Sequence, residues 1–315
     1  MANTASQLSI TPIHPCFGAG IEGVDLALPL DEPTFKRISD AFQEFSVLVL
    51  RDQRLTDEQQ MTFSRRFGAL ETTIKATGRE NRLHPNLVDL SNTDPERDGR
   101  LMDWTDRRML YQSGNQLWHT DSSFKPVPAM LSLLSGREVP PAGGETEFAS
   151  MRHAYATLPE ETRRRLEGKV AVHSIIYSRS TIAKGLLDPD AEKDLPPVRQ
   201  ALVRANPANG RKAIYIGSHA WYIEGLPYAE SRRLLDELLV HTTRPDCVYQ
   251  HRWRQWDLVM WDNRCMLHRG RPWDAARHPR VMRRTTVAGE GPTADPPFAS
   301  RAAVWDGIIA EGVGV

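Results

Sequence analysis

The sequence lacks an excess of charge of either sign. Its 315 residues include 40 lysines and arginines and 40 aspartates and glutamates, so the formal net charge at pH 7 is zero. Proteins that bind nucleic acid or an anionic membrane surface through their overall charge carry a basic excess. The composition therefore argues against nucleic acid and membrane as partners.

Cysteine is also scarce. The three cysteines, Cys16, Cys247 and Cys265, are far apart and odd in number, which excludes a disulfide framework and a Cys-x-x-Cys metal site. No run of about 18 apolar residues is present, so no membrane-spanning helix is expected. The first residues, "MANTASQLSITPIHP", have no basic region followed by an apolar one, so we expect a cytoplasmic protein without a signal peptide.

What the sequence does contain is a series of short strand patterns with a few helices. Apolar spacing predicts a helix over 31–45, and "LTDEQQMTFSRRFG" predicts another, with a capping box at its start and Gly68 as its C-cap. The stretch "CVYQHRWRQWDLVMWDNRCMLHRG" predicts a pair of hairpins. Because no regular alternation of strands and helices occurs, we predict a mainly β domain over 1–315, a barrel or jelly roll with flanking helices. Residues 69–115 and 178–197 are expected to be loop or lid insertions.

A histidine and an aspartate lie two residues apart in "NQLWHTDSSF". Side chains two apart on a strand point to the same face, about 6–7 Å apart. One metal ion could therefore bind both His119 and Asp121. The alternative without a metal is a hydrogen-bonded pair at the end of a strand.

His268 is the candidate third ligand, because it follows the apolar strand "DLVMW" in the polar turn "WDNRCMLHRGRPWD". Two histidines and one carboxylate form a facial triad, which leaves three positions of an octahedral iron(II) open for a chelating 2-oxo acid and for oxygen. The same ligands can hold zinc in a hydrolytic site. Ligand type alone therefore leaves the metal open.

The last predicted strand, "PRVMRRTT", places Arg280 and Arg284 on one face, about 13 Å apart. Guanidinium groups inside a β core are costly unless each one meets an anion. This spacing predicts two separate carboxylate sites, since arginine is suited to bidentate recognition of a carboxylate. The alternative is a surface stripe of arginines.

Four stretches carry a family resemblance in their joint order: "WHTDSSF", "PPAGGETEFASMRHAY", "WDNRCMLHRGRPWD" and "RVMRRTT". They resemble the motifs of the iron(II)/2-oxoglutarate-dependent dioxygenases of the taurine dioxygenase superfamily, and most of all those of the 2,4-dichlorophenoxyacetate dioxygenases. The resemblance runs from "HPCFGAGIEGVDL" to "RRTT". It implies a double-stranded β-helix (jelly-roll) core, with iron(II), 2-oxoglutarate and dioxygen as cofactor and cosubstrates.

The resemblance also implies roles for individual residues. The implied iron ligands are His119, Asp121 and His268. Thr146, in "GGETEF", matches the threonine that hydrogen-bonds the distal carboxylate of 2-oxoglutarate, and Arg280 matches the arginine that pairs with that carboxylate. Arg284 matches the arginine that binds the anionic head of the substrate.

Five other residues are left with two interpretations each. His219 and His173 are candidates for polar groups of the substrate pocket, or are structural histidines; His219 is our candidate for substrate binding. Trp221 and Tyr222 either pack or shape the pocket. Lys75, in the first long loop, faces either an anion or solvent.

The implied reaction is oxidation of a small carboxylic acid. For an aryloxyalkanoate, hydroxylation of the carbon beside the ether oxygen gives a hemiacetal, which collapses to a phenol and glyoxylate. One alternative keeps the cofactors but hydroxylates, desaturates or closes a ring on an amino acid or a natural-product intermediate. Another is a zinc hydrolase or a non-catalytic jelly-roll binding module. Relatives of this kind are often dimers or tetramers, so a homo-oligomer is compatible with the sequence.

Overall fold

The computed structural model describes residues 8–74, 83–94 and 98–299, and Lys75 lies outside them. The helices in the described residues are α1 (Glu32–Phe45), α2 (Asp57–Arg65), α3 (Arg107–Ser113), α4 (Met151–Thr157), α5 (Glu160–Leu166), α6 (Ile175–Ser180), α7 (Pro189–Asp194) and α8 (Tyr228–Thr242). None of these helices is long and apolar enough to cross a membrane.

The strands begin with β1 (Ser9–Pro12), β2 (Ala19–Glu22), β3 (Val47–Leu50), β4 (Val88–Asp89), β5 (Thr93–Asp94), β6 (Arg100–Leu101), β7 (Ala129–Glu138) and β8 (Thr146–Ser150). They continue with β9 (Val170–His173), β10 (Val198–Ala201), β11 (Val203–Ala205), β12 (Lys212–Ile214), β13 (Ala220–Ile223), β14 (Val248–His251), β15 (Leu258–Asp262), β16 (Met266–Gly270) and β17 (Val281–Ala288).

Side-chain caps determine where the first two helices begin. Asp31 accepts a hydrogen bond from the backbone N–H of Thr34 at 2.8 Å, at the start of α1. Thr56 and Gln59 form the predicted capping box of α2. The prediction of Gly68 as the C-cap of α2 was wrong, because the helix ends earlier. Its backbone tightens into i→i−3 hydrogen bonds, the last of them from the N–H of Gly68.

Two sheets build the central part of the protein. A seven-stranded sheet has the order β1-β2-β3-β15-β7-β17-β4, and a three-stranded sheet has the order β14-β8-β16. Within the larger sheet β2 and β3 are parallel, and the other neighbours are antiparallel. Smaller sheets have the orders β10-β9-β13, β11-β12 and β5-β6.

The main hydrophobic core lies between these two sheets. It joins Val49 and Met282 from the seven-stranded sheet to Phe148 from the three-stranded sheet. Leu48, the residue before Val49 on β3, faces the opposite side and packs with Phe42 of α1 in a second core cluster. Because side chains alternate across a strand, β3 is buried on both faces.

The predicted pair of hairpins is wrong. β14 and β16 both pair with β8, whereas β15, which lies between them in sequence, pairs with β3 and β7. Consecutive strands therefore cross between the two sheets. The sequence pattern predicted where each strand lies. Which strands pair was decided by the hydrophobic core in which each strand buries its apolar face.

The two segments expected to be loops contain regular structure. Residues 69–115 include β4, β5, β6 and α3, and residues 178–197 include the end of α6 and all of α7. Within the first of them, the stretch "PNLVDLSN" contains β4, which pairs with β17. These segments bring side chains to the site described next.

Candidate active site

His119 and His268 lie beside each other because their backbones pair. The N–H of His119 donates to the carbonyl of His268 at 3.0 Å, and the reverse bond is 2.8 Å long. Asp121 follows two residues later, and ligand atoms of all three side chains lie within 4.8 Å of one another. All three are buried, so the structure brings the predicted ligand set together at one point.

The carboxylate of Asp121 is held from both sides. Ser132, on β7, donates its hydroxyl to Oδ2 at 2.7 Å, and Arg284, on β17, donates Nη1 to Oδ1 at 2.5 Å. Burial alone would raise the pKa of Asp121, but the positive charge of Arg284 and the hydrogen bond from Ser132 lower it below its ordinary value. The carboxyl group is therefore ionised, as a metal ligand must be.

Asn263 organises the loop that carries Asp121. Its side-chain oxygen accepts from the backbone N–H of Asp121 at 3.1 Å and from the indole of Trp261 at 2.9 Å. Its amide donates to Ser132 at 2.9 Å, and its carbonyl accepts from Thr120 at 2.6 Å. The sequence interpretation missed Asn263 as an orienting residue; its place in the turn "WDNRC" just before His268 was the available signal.

Both histidines are neutral, and His119 is also oriented for metal binding. Burial lowers the pKa of His119 to about 4, and it lowers that of His268 well below its ordinary value. Nδ1 of His119 lies 2.7 Å from the carbonyl of Leu117, which can only accept, so Nδ1 carries the proton. Nε2 of His119 then carries a free lone pair, and this is the form of the imidazole that coordinates a metal.

Arg280 is buried without an acidic partner among the described residues. It is 9% exposed, its Nε donates to the carbonyl of Gly144 at 3.3 Å, and its guanidinium carbon lies 5.4 Å from the ring centre of Trp273. Burial lowers its pKa to about 10. A guanidinium in this position is stabilised by an anion that reaches its free donors.

Gly144 permits the close approach of Arg280. Its φ is +69°, a conformation that favours glycine, and an added Cβ would lie 3.2 Å from Nε of Arg280. Gly144 in "PPAGGETEF" therefore makes room for the guanidinium of Arg280.

Thr146, the first residue of β8, accepts a hydrogen bond from the indole N–H of Trp253 at 3.0 Å. Its own hydroxyl proton therefore remains available to an acceptor. A cavity of about 70 Å³ is lined by Thr146, Arg280, His268 and Arg284. Trp253 was missed from the sequence, because nothing local indicates that its indole reaches a residue on another strand.

A larger cavity of about 530 Å³ also borders the triad. His119 and Arg284 line both cavities, and Asp121 and His219 line the larger one. Arg284 therefore lies where the two cavities meet. Arg179, at the end of α6, also lines the larger cavity; it falls in a stretch that the sequence interpretation treated as loop.

The remaining candidate histidines differ in position. His219 lines the larger cavity, with Nδ1 2.8 Å from the hydroxyl of Ser178 and its ring edge-on to His119 at 6.2 Å. His173 lines neither cavity, is fully buried, and stacks on Tyr215 at 5.6 Å. His173 is thus a packed core residue.

Trp221 and Tyr222 contribute to neither cavity among the described residues. Trp221 stacks on Tyr177 at 5.7 Å, and it meets Tyr222 edge-on. Their role in the structure is packing.

Comparison with known proteins agrees with this arrangement. Residues 9–286 match the family model described as taurine catabolism dioxygenase TauD, TfdA family. The chain is 44% identical over 278 residues to the alpha-ketoglutarate-dependent 2,4-dichlorophenoxyacetate dioxygenase of Cupriavidus pinatubonensis. The aligned region covers 88% of this chain and 96% of the relative. It is 39% identical over 287 residues to the (S)-phenoxypropionate/alpha-ketoglutarate-dioxygenase of Sphingobium herbicidovorans, and the aligned region covers 89% of this chain and 95% of that relative.

The fold agrees as well. The crystal structure of AAD-2 in complex with Mn(II) and N-oxalylglycine superimposes with a TM-score of 0.83, 41% sequence identity, and coverage of 91% of this chain and 99% of that one. The chain belongs to the taurine catabolism dioxygenase TauD, TfdA family. It is therefore an enzyme, a dioxygenase, which favours the oxygenase interpretation of the triad over a zinc hydrolase or a binding module.

Proposed function

We propose that the enzyme uses iron(II), 2-oxoglutarate and dioxygen to hydroxylate a small carboxylic acid beside its carboxylate, and that cleavage of an aryloxyalkanoate ether is its lead reaction. The observation that carries the proposal is the joint lining of one cavity by His119, His268 and Arg280, which has no acidic partner among the described residues. Several relatives named for phenoxyacetate or phenoxypropionate substrates support the substrate class.

The metal-binding residues we propose are His119, Asp121 and His268. Two neutral imidazoles and one ionised carboxylate within 4.8 Å match the facial triad of iron(II) oxygenases. Ser132 and Asn263 hold the carboxylate in place for coordination. Bound iron(II), together with 2-oxoglutarate and dioxygen, supplies the oxidation of a substrate C–H bond, which no side chain can carry out.

Arg280 and Thr146 are our proposed ligands for the distal carboxylate of 2-oxoglutarate. Arg280 offers donors in a dry site that has no acidic partner among the described residues, and Thr146 offers the hydroxyl proton that Trp253 leaves free. A charge-assisted contact of this kind gives the site both affinity and orientation.

The substrate acid is assigned to the larger cavity, with Arg284 on its carboxylate and His219 on its wall. Nε of Arg284 is buried without a hydrogen-bond partner among the described residues, so this guanidinium keeps a free donor although Nη1 contacts Asp121. The cavity volume of about 530 Å³ suits a small aromatic acid.

Anchoring the acid at Arg284 is what selects the carbon that reacts. Because Arg284 also borders the triad, the carbon beside the carboxylate comes to lie next to the metal position. In an aryloxyalkanoate that carbon carries the ether oxygen. Its hydroxylated form is a hemiacetal, which breaks into a phenol and, for an aryloxyacetate, glyoxylate.

We assign the seven-stranded and three-stranded sheets to the two faces of a jelly roll, supported by strands that cross between them, and we take 1–315 as one domain with 69–115 and 178–197 as its lids. The three cysteines are free thiols, as suits the reducing cytoplasm.

The proposal is tested by measuring succinate and phenol release from phenoxyacetate, 2,4-dichlorophenoxyacetate and a panel of other carboxylic acids. We expect succinate release to require ferrous iron and 2-oxoglutarate and to rise with an aryloxyalkanoate. Full activity with zinc and no iron would rule the oxygenase chemistry out. If only acids other than aryloxyalkanoates are turned over with coupled succinate release, those acids would replace the aryloxyalkanoates as the lead substrates.

A further inference from the structure

Arg179 is a buried cation that the reaction described above does not use. It is 6% exposed, it lines the larger cavity, and its Nε has no hydrogen-bond partner among the described residues. Its contacts are the face of Tyr111, with the guanidinium carbon 4.7 Å from the ring centre, and a long bond of 3.5 Å to the hydroxyl of Ser178. A buried guanidinium with unused donors is costly unless an anion meets it.

The charges around this cavity single out Arg179. The other lysine and arginines of its lining are paired with carboxylates at 2.5 to 2.7 Å: Lys125 with Glu71, Arg108 with Asp94, and Arg284 with Asp121. Within the described ranges, Arg179 has no such partner. Among the described lining residues, one positive charge is therefore left to be matched by what binds in the cavity.

We propose that Arg179 is a second anion-binding residue of the substrate cavity, which holds the carboxylate of the substrate together with Arg284. The inference rests on the proposed function, because it takes an acid as the substrate. It does not concern 2-oxoglutarate, since Arg179 is absent from the lining of the smaller cavity that holds Arg280.

The surroundings of Arg179 hold its guanidinium in place before a ligand arrives. A Cβ added to Gly114 would lie 2.4 Å from Nη1 of Arg179, so the guanidinium packs directly against the backbone there. Tyr111 covers its face. A cation that is already fixed loses little side-chain entropy when it binds an anion.

The competing explanation is that Arg179 only ties α6 to α3. Arg107 offers a control for that role, because it joins α3 to the loop that follows α6 and does not line the cavity. Its guanidinium donates to the carbonyls of Gly185, Leu186 and Leu187 at 3.2, 3.2 and 2.8 Å. Replacing Arg107 by methionine therefore removes a tie between these segments and leaves the cavity charges unchanged.

The test is isothermal titration of phenoxyacetate and of neutral phenoxyacetamide into wild-type, Arg179→Met and Arg107→Met enzyme, loaded with iron(II) and 2-oxoglutarate without oxygen. A separate titration of 2-oxoglutarate into the iron(II)-loaded enzymes gives its affinity. We expect Arg179→Met to weaken phenoxyacetate binding by about 10- to 100-fold, the range for loss of a desolvated charge contact. The affinities for phenoxyacetamide and 2-oxoglutarate should stay within about twofold of wild type. Arg107→Met should change none of the three.

Arg179→Lys provides a second variant that keeps the charge, and it should recover part of the affinity for the acid but not all of it. Equal weakening of acid and amide in Arg179→Met, or unchanged binding of the acid, would overturn the inference. Failure of the proposed function is recognised separately, from the wild-type enzyme alone: it would bind none of the acids in the panel.

Discussion

His119 and His268 exchange backbone hydrogen bonds of 3.0 and 2.8 Å across an isolated antiparallel bridge. The bridge joins the segment after α3 to β16, and it uses no side-chain atom. The position of both imidazoles is therefore set by main-chain pairing, and their side chains can be changed without removing the contact that brings them together.

Replacing His119 or Asp121 by alanine should abolish metal binding and turnover while the fold is retained. Each change removes one of three proposed ligands, so we expect turnover to fall by about a hundredfold or more. Metal content after dialysis, together with far-UV circular dichroism, measures both effects. A variant that keeps stoichiometric iron would contradict the assignment of that ligand.

Ser132→Ala should weaken the metal without removing it. The serine hydroxyl is a donor to Oδ2 of Asp121 at 2.7 Å, and loss of such an orienting bond costs about 10- to 100-fold in metal affinity. Ser135→Ala is the matched control, because Ser135 lies on the same strand, is buried, and its hydroxyl has no partner among the described residues. Equal iron affinities of the two variants would refute the orienting role.

Arg280→Met should weaken 2-oxoglutarate by about a hundredfold, because it removes a charge-assisted contact. Thermal unfolding adds a second readout. Without 2-oxoglutarate the variant should be no less stable than wild type, since an unpaired buried charge is lost, and added 2-oxoglutarate should no longer raise its midpoint.

Arg283→Met is the control for Arg280. This neighbouring arginine pairs with Asp89 at 2.6 Å and does not line the smaller cavity. It should respond to 2-oxoglutarate as wild type does. If both variants lose the response, the effect belongs to the strand and not to Arg280.

Arg284→Ala should raise the KM for the acid substrate strongly and leave the affinity for 2-oxoglutarate nearly intact. It should also uncouple the enzyme, because an acid that is not anchored by its carboxylate does not hold its C–H bond at the metal. Arg284→Lys should rescue only part, because a point charge lacks the planar fork. The ratio of succinate to phenol formed measures the uncoupling, and a normal substrate KM would remove Arg284 from this role.

His173 should make the protein sensitive to acid. Burial lowers its folded-state pKa from the ordinary 6.5 to about 3. Below pH 6.5 the unfolded chain therefore takes up a proton that the folded protein excludes, so stability present above pH 6.5 is lost as the pH falls towards 3. His173→Phe, which keeps a ring on Tyr215, should flatten this loss in denaturant titrations. If the free energies of unfolding of the two proteins fall equally as the pH is lowered, groups other than His173 cause the loss of stability.

The sequence predicted the parts of the site that depend on local spacing. Alternation along a strand predicted that His119 and Asp121 share a face; Asp121 lies in a turn instead, but the two side chains still bring ligand atoms within 4.8 Å of each other. The helix caps at Asp31 and Thr56 depend on residues only three apart. The order of motifs added the family and, with it, Thr146 as a candidate cosubstrate ligand. These inferences needed no knowledge of which strands pair.

What only the tertiary structure decided are the contacts between segments far apart in the chain. The strands predicted as hairpins cross between sheets, because each buries its apolar face in a shared core. That crossing carries Asn263 to Asp121 and Trp253 to Thr146. Whether an arginine of the cavity has a carboxylate beside it, as Arg284 does and Arg179 does not among the described residues, depends on three-dimensional packing, which local periodicity does not encode.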